Sequence, residues 1–328
     1  MNLIGESLIK SEIPQEDALS EIAYAYSVAI ATLGKSDSSP VESFSGRFPL
    51  AREMIVNLTL MRARVLYSQG KYEEADSIVD AAFDKHSRSP LLPDLLYKKA
   101  TALLLRKRYD DAKETLLNVY SLCEEQGDLL YDVCFKLGAT YYFLGDFDSS
   151  AFYFEVAAGS PKAGLRQDAI FNRGLALEDG GHLIRASHTF HSYATRYPLC
   201  DRFERALVRS AYTLEKAGRF EDAIRIYRSV ARYSDSDQTK AEAYYWIGEC
   251  LSQLGRHLDS AVAFLRVGFE FPGESAWAGT ARYRAGLESE KCDLRHAARK
   301  IYEENVKLYG RSSPWGQASY ERLLEIGE

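Results

Sequence analysis

Small and bulky apolar positions along this chain keep time on a ruler much longer than one helical turn. A small residue recurs at Ala63, Ala100, Gly138, Gly174, Ala211, Gly248 and Gly286, each thirty-six to thirty-eight positions after the last. Twelve positions after each anchor stands a second small residue: Ala75, Ala112, Ser150, Ala186, Ala223, Ser260 and Ala298. Three after the anchor come Leu66, Leu103, Tyr141, Leu177, Leu214, Leu251 and Ser289, and sixteen after it Val79, Leu116, Phe154, Phe190, Tyr227, Phe264 and Tyr302. The anchor shares one helical face with the side chain three later, and the second small residue shares another with the large one four beyond it, so each unit predicts two amphipathic helices. Between them, seven after the anchor, lie Gly70, Lys107, Gly145, Gly181, Gly218, Gly255 and Asp293. Glycine at five of these seven fits a helix closed by a left-handed residue, which is least costly without a side chain. The unit is therefore helix, tight turn, helix, and seven such units in tandem predict a stacked array in which small residues let paired helices approach closely.

The pattern resembles the tetratricopeptide repeat (TPR) from Asn57 to about Gly310, most clearly in LGATYYFLGDFDSSAFYFEVA (Leu137 to Ala157) and AYYWIGECLSQLGRHLDSAVAFLRVGFEFP (Ala243 to Pro272). These units run about three residues longer than the usual TPR of 34, and only Pro198 and Pro272 occupy the expected closing place. The resemblance implies an all-α, right-handed superhelical solenoid of stacked TPR hairpins, working as a scaffold for other proteins. The length of the units, with AEAYYWIGE leading into a first helix, is similar to bacterial cell-envelope TPR proteins of the Tol-Pal coordinator and outer-membrane assembly lipoprotein type, mainly over the last two or three units. That narrower likeness implies a place in assembling a cell-envelope or motor-type complex. A cytoplasmic adaptor or regulator, and a self-assembling structural array, are the alternatives.

Outside the repeats, residues 15–33 carry apolar positions at helical spacing (Ile22, Tyr26, Ala29, Ile30, Leu33), and the Ser-rich stretch 34–46 reads as a connector. The expected organisation is a degenerate repeat or cap over 1–50, seven repeats over 51–312, and a capping helix over 313–328 opened by Pro314.

Composition then narrows the class. With 46% hydrophobic and 27% charged residues the chain is foldable, and it has no apolar stretch long enough for a membrane span. A net charge of −6 opposes general nucleic-acid binding, and the basic string Arg106-Lys107-Arg108 falls in an interhelix turn. The first seventeen residues show neither a basic start nor a sustained apolar stretch, so no secretory signal is expected. The cysteines number five, an odd count without metal spacing, and most are expected to be small buried fillers. Both signals favour a reducing, cytoplasmic setting, against the periplasmic or envelope setting that the resemblance implies.

In a TPR array the first helices line the concave side. Three before the anchor lie Leu60, Tyr97, Phe135, Phe171, Val208, Tyr245 and Tyr283, an aromatic row; six before it lie Asp94, Asp132 and Asp168; one or four after it lie Tyr212, Glu249 and Tyr142. Aromatics give large contact area at low entropic cost, and acids orient a cationic ligand. The expected site is thus an aromatic and acidic groove for a polypeptide segment bearing apolar anchors and Lys or Arg. Packing within the array is the competing role for these rings. The Lys and Asn set with which one TPR subclass grips chaperone-tail carboxylates is absent, so no such binding is expected.

No zinc-protease His pair, phosphate-cradling glycine loop, nucleophile elbow or paired-cysteine motif occurs, so an enzyme reading has no residues behind it and neither cofactor nor metal is expected. His188 and His191, three apart, read as polar surface, and Gly180-Gly181 as an interhelix turn.

Overall fold

The computed structural model describes residues 61–86, 92–123 and 127–326. The expected amino-terminal helix and connector, and the first-unit positions Asn57 and Leu60, lie outside them. Among the described residues there are fifteen helices and no strand: α1 (61–68), α2 (Tyr72–His86), α3 (Leu92–Leu105), α4 (Tyr109–Leu122), α5 (Asp128–Leu144), α6 (Phe147–Ala157), α7 (Ala163–Asp179), α8 (Leu183–Arg196), α9 (Phe203–Lys216), α10 (Phe220–Tyr233), α11 (Asp237–Gln253), α12 (His257–Glu270), α13 (Ser275–Lys291), α14 (Arg295–Tyr309) and α15 (Pro314–Ile326). The chain forms two compact units, one ending at Arg173 and the other beginning at Gly174, inside α7. No helix of the described residues is long and apolar enough to cross a membrane.

Every hairpin turn is closed the same way. The residue seven after the anchor has positive φ in all seven repeats, including Lys107 (φ 58) and Asp293 (φ 59), where glycine is missing. The next residue's N–H then donates back to the carbonyl three after the anchor: Lys71 to Leu66, Arg108 to Leu103, Asp146 to Tyr141, His182 to Leu177, Arg219 to Leu214, Arg256 to Leu251 and Leu294 to Ser289, at 2.8–3.0 Å. This Schellman closure satisfies a carbonyl that the helix end would leave orphaned. It also fixes the angle at which the second helix departs, so the turn sets the hairpin.

Packing within each hairpin follows from the small residues. Every anchor is buried, together with the small residue twelve positions on and the large one sixteen on. Where that large residue is aromatic, its ring generally lies against a glycine: a Cβ on Gly138, Gly174, Gly248 or Gly286 would fall 2.8, 2.6, 2.7 or 2.3 Å from Phe154, Phe190, Phe264 or Tyr302. Where it is aliphatic, as at Val79 and Leu116, the anchors Ala63 and Ala100 carry a methyl. Ala211 opposite Tyr227 departs from this exchange of volume. Two hairpins add a polar latch, Ser150 Oγ donating to the Gly138 carbonyl (2.8 Å) and Ser260 Oγ to the Gly248 carbonyl (2.7 Å). Each latch joins the second small residue to its anchor.

Hairpins then stack within each unit. Successive helices contact one another from α2 to α6 and from α8 to α15, and so do the first helices α3 and α5, and α11 and α13. One apolar cluster runs from Ala63 and Val79 through Leu92 and Leu116 to Val133 and Leu137, so no single hairpin of the first unit buries its face alone. In the second unit α15 covers α13 and α14. The Trp315 ring sits over Gly279, and the buried Asn305 amide donates to the Gly279 carbonyl (3.1 Å) and to Ser319 Oγ (2.8 Å). Cysteine burial differs from expectation: Cys134 and Cys250 are buried, whereas Cys123, Cys200 and Cys292 are half-buried, because they stand beside helix ends or turns rather than in hairpin seams.

Two outcomes test this account. Gly248→Ala should cost about 1–3 kcal/mol by overpacking against Phe264. In a urea-denaturation cycle with Phe264→Leu, the double variant should lose markedly less than the sum of the single changes; simple additivity would refute the ring-on-glycine contact. Lys107→Gly should raise stability by about 0.5–1 kcal/mol by relieving a left-handed residue, and a lowered urea midpoint would count against it.

Candidate protein-interaction surface

The side chains at the first-helix register differ in depth. Phe135 and Phe171 retain only 6% and 1% of their exposure. Phe135 packs edge-on against Phe154 of its own hairpin, centroids 5.5 Å apart. Both phenylalanines are core, so the expected groove loses them. The tyrosines of the row are half-buried instead. Tyr97 is held beneath the Lys136 ammonium (5.2 Å to the ring), Tyr245 is wedged among Trp246, Phe264 and Trp277 (5.2–5.4 Å), and Tyr283 leans on Tyr302 (5.9 Å). Tyr142 packs on Phe147 at 5.5 Å, and Tyr212 is the most open, 36% exposed with Lys216 over its ring at 5.3 Å. A phenol needs an outlet for its hydroxyl and a phenylalanine does not, which is why the row divides this way.

These surroundings shift protons. Burial raises the Tyr97 phenol above its usual value, with Asp132 and Asp94 adding to the effect, and pushes Tyr245 up to about 12 with the help of Glu249. Lys136, 7% exposed, is lowered to about 8 by burial, opposed by Asp132. The Glu215 carboxyl is raised by burial although it accepts from the Tyr227 hydroxyl (3.0 Å).

The acids of the register are largely engaged by bases of the following hairpin. Asp132 accepts from Lys162 (2.8 Å) in the first unit. In the second, Glu178 takes both carboxylate oxygens to Arg209 (3.0 Å), Glu249 pairs with Arg284 (2.6 Å), and Glu290 with Arg322 (2.6 Å). Asp94 is exposed in the first turn of α3, and Asp168 lies half-buried on α7. The register is therefore charge-compensated rather than an open acidic field. The compensating bases were missed in the sequence, although the same ruler marks two of them: Arg209 and Arg284 stand two before their anchors, where Lys98 and Lys136 stand in the first unit.

One further carboxylate stitches neighbouring hairpins. Glu288 of α13, its side chain fully buried, accepts from Ser252 Oγ (2.8 Å) and Lys291 Nζ (2.8 Å) and meets His257 Nδ1 at 2.7 Å. Burial alone would raise its pKa, but the hydrogen bonds from Lys291, His257 and Ser252 outweigh burial and hold it below its usual value. Glu290 is likewise held low, chiefly by Arg322, against the opposing effect of burial.

Helical hairpins closed by a shared turn, with small residues under bulky ones, are matched by the tetratricopeptide repeat family model over residues 60–120, 131–159 and 208–274. The chain is a TPR protein. Its fold is that of scaffolds for protein–protein interaction, which generally bind rather than catalyse, and it implies protein partners. No curated protein sequence matches it. Among solved structures the TPR chain is similar to one from the Naa15/Naa10 assembly bound to HypK-THB (TM-score 0.60, 16% identity, 94% of this chain and 45% of that one). It is also similar to the C-terminal part of a TPR repeat-containing protein from Cytophaga hutchinsonii (0.52, 11%, 79% and 98%) and to the apo form of RapI (0.51, 12%, 83% and 81%). At these identities the likeness is one of fold.

The carboxylates at Glu288 and Glu290 make the second unit sensitive to acid. Folded-state values below the usual 4.5 mean that their stabilisation is complete above about pH 4.5 and is lost as pH falls through the folded values. Urea midpoints measured from neutral pH downward should fall more steeply for the native protein than for Glu288→Gln; parallel curves would contradict this assignment.

Proposed function

We propose that this TPR chain is a non-enzymatic scaffold that seats partner polypeptides on the first-helix face of each unit, through Asp94, Tyr97 and Tyr142 in the first and Tyr212, Tyr245 and Tyr283 in the second. The observation that carries this reading is that these tyrosines stay partly open while a cation or a ring fixes each one. A ring that is already immobilised loses little entropy when a ligand covers it. The partner segment supplies apolar anchors, and a Lys or Arg on it meets the exposed Asp94. Stacked hairpins hold these rings at fixed intervals, so the spacing of anchors along the partner selects it. The likeness of the last units to envelope TPR proteins supports a setting in the assembly of a bacterial cell-envelope or motor-type complex.

Affinity purification from the native cell tests this, with the intact chain beside a Tyr97→Ala, Tyr142→Ala, Tyr212→Ala variant. At least one protein recovered specifically with the intact chain should fall about tenfold or more, as hot-spot truncation does. Truncating packed rings lowers the urea midpoint, so circular dichroism should show both chains folded at the assay temperature. Equal recovery of every co-purifying protein would end the proposal.

A further inference from the structure

The second unit carries a groove on the opposite side of its hairpins, between the second helices α10 and α12. It encloses about 610 Å³. Tyr244, Ile247 and Leu251 of α11 form its floor, α10 contributes Arg228 and Arg232, and α12 contributes Val262 and Arg266. Val262 is 61% exposed, so the α12 wall offers apolar surface to anything that enters. Arg266 lies over the Tyr244 ring at 4.1 Å.

Charge in this groove is left uncompensated. Arg266 is paired with Glu270 (2.7 Å), and Asp259, the carboxylate that lines the groove, is held by Arg256 (2.6 Å). Arg228 and Arg232 have no ion pair with any described residue, and both are exposed. Four residues apart on α10, they share one helical face and repel each other there. The equivalent groove of the first unit, between α2 and α4, has the opposite balance. Lys99, Arg106 and Arg108 are taken up by Asp80, Asp76 and Asp111, and Glu73 and Glu114 remain over. The positive groove is thus a local feature of the second unit, set in a chain whose net charge is −6.

We propose that the α10/α12 groove is a second docking site, for an acidic amphipathic helix of a partner protein. A helix fits a trough between two helices by laying an apolar stripe along it, here against the exposed Val262 of the wall and the half-buried Tyr244 of the floor. Carboxylates flanking that stripe reach Arg228 and Arg232, whose planar forks suit them. This site does not depend on the first-helix face, so a scaffold could hold two segments at once.

The test uses the full chain and a fluorescein-labelled synthetic helix with leucines at helical spacing and glutamates elsewhere, beside the same peptide with lysine for every glutamate. Fluorescence anisotropy should show binding of the glutamate peptide alone, weakened about tenfold or more on going from about 0.05 to about 0.5 M salt, since screened rim charges lose their reach. Arg228→Glu with Arg232→Glu should weaken it by a similar factor, whereas Arg228→Lys with Arg232→Lys should keep most of it. Both positions are exposed, and circular dichroism should show each variant folded as the native chain. Equal binding of the two peptides, or an undiminished affinity in the Glu double variant, would overturn the proposal. So would sedimentation showing a dimer of the chain that the Glu double variant dissolves, which would assign the groove to a second copy, or an RNA oligonucleotide binding through the same arginines where the glutamate peptide does not.

Discussion

Close approach between a residue of minimal size and a large side chain sixteen positions later is the contact on which every hairpin rests. Phe154, Phe190, Phe264 and Tyr302 lie on glycine, and no methyl group would fit beneath them. Such a contact is short-ranged and unforgiving, because interiors are packed as densely as crystals. It works only if the two helices meet at one angle, and the left-handed turn with its back-bond into the first helix imposes that angle. Turn and seam are thus two halves of one constraint. Stacking, charge pairing and surface display all presuppose it.

The same ruler that makes the fold legible explains what stayed hidden. Register can be counted in a sequence, and so the anchors, turns and second helices are readable from spacing alone. Lys107 and Asp293 show how strong the register is: the backbone goes left-handed there without glycine. Depth cannot be counted in the same way. Phe135 and Tyr97 hold the same place in successive repeats, yet one is core and the other keeps an open edge, since the outcome depends on the ring across the seam and on the hydroxyl.

Charge was hidden for a different reason. Taken one position at a time, Asp132, Glu178 and Glu249 suggest an acidic face. Set beside the following hairpin, they answer Lys162, Arg209 and Arg284, and the face becomes nearly neutral. The informative quantity is the pair across neighbouring hairpins, which a column of equivalent residues does not display. The outer groove of the first unit follows this rule, Lys99 and Arg106 answering Asp80 and Asp76 of the preceding hairpin, whereas the pairs in the α10/α12 groove are local to α12.

Pairing between neighbours also means that the hairpins are not interchangeable. Glu178 is buried and depends on the arginine two before the next anchor, while the corresponding place one repeat further on holds Trp246. Excising the α9–α10 hairpin would preserve the beat of small residues and still leave a carboxylate facing an indole inside the stack. Each repeat therefore carries an address for its successor, and shuffled versions of this array would be selected against by solvation energy even where their shapes agree.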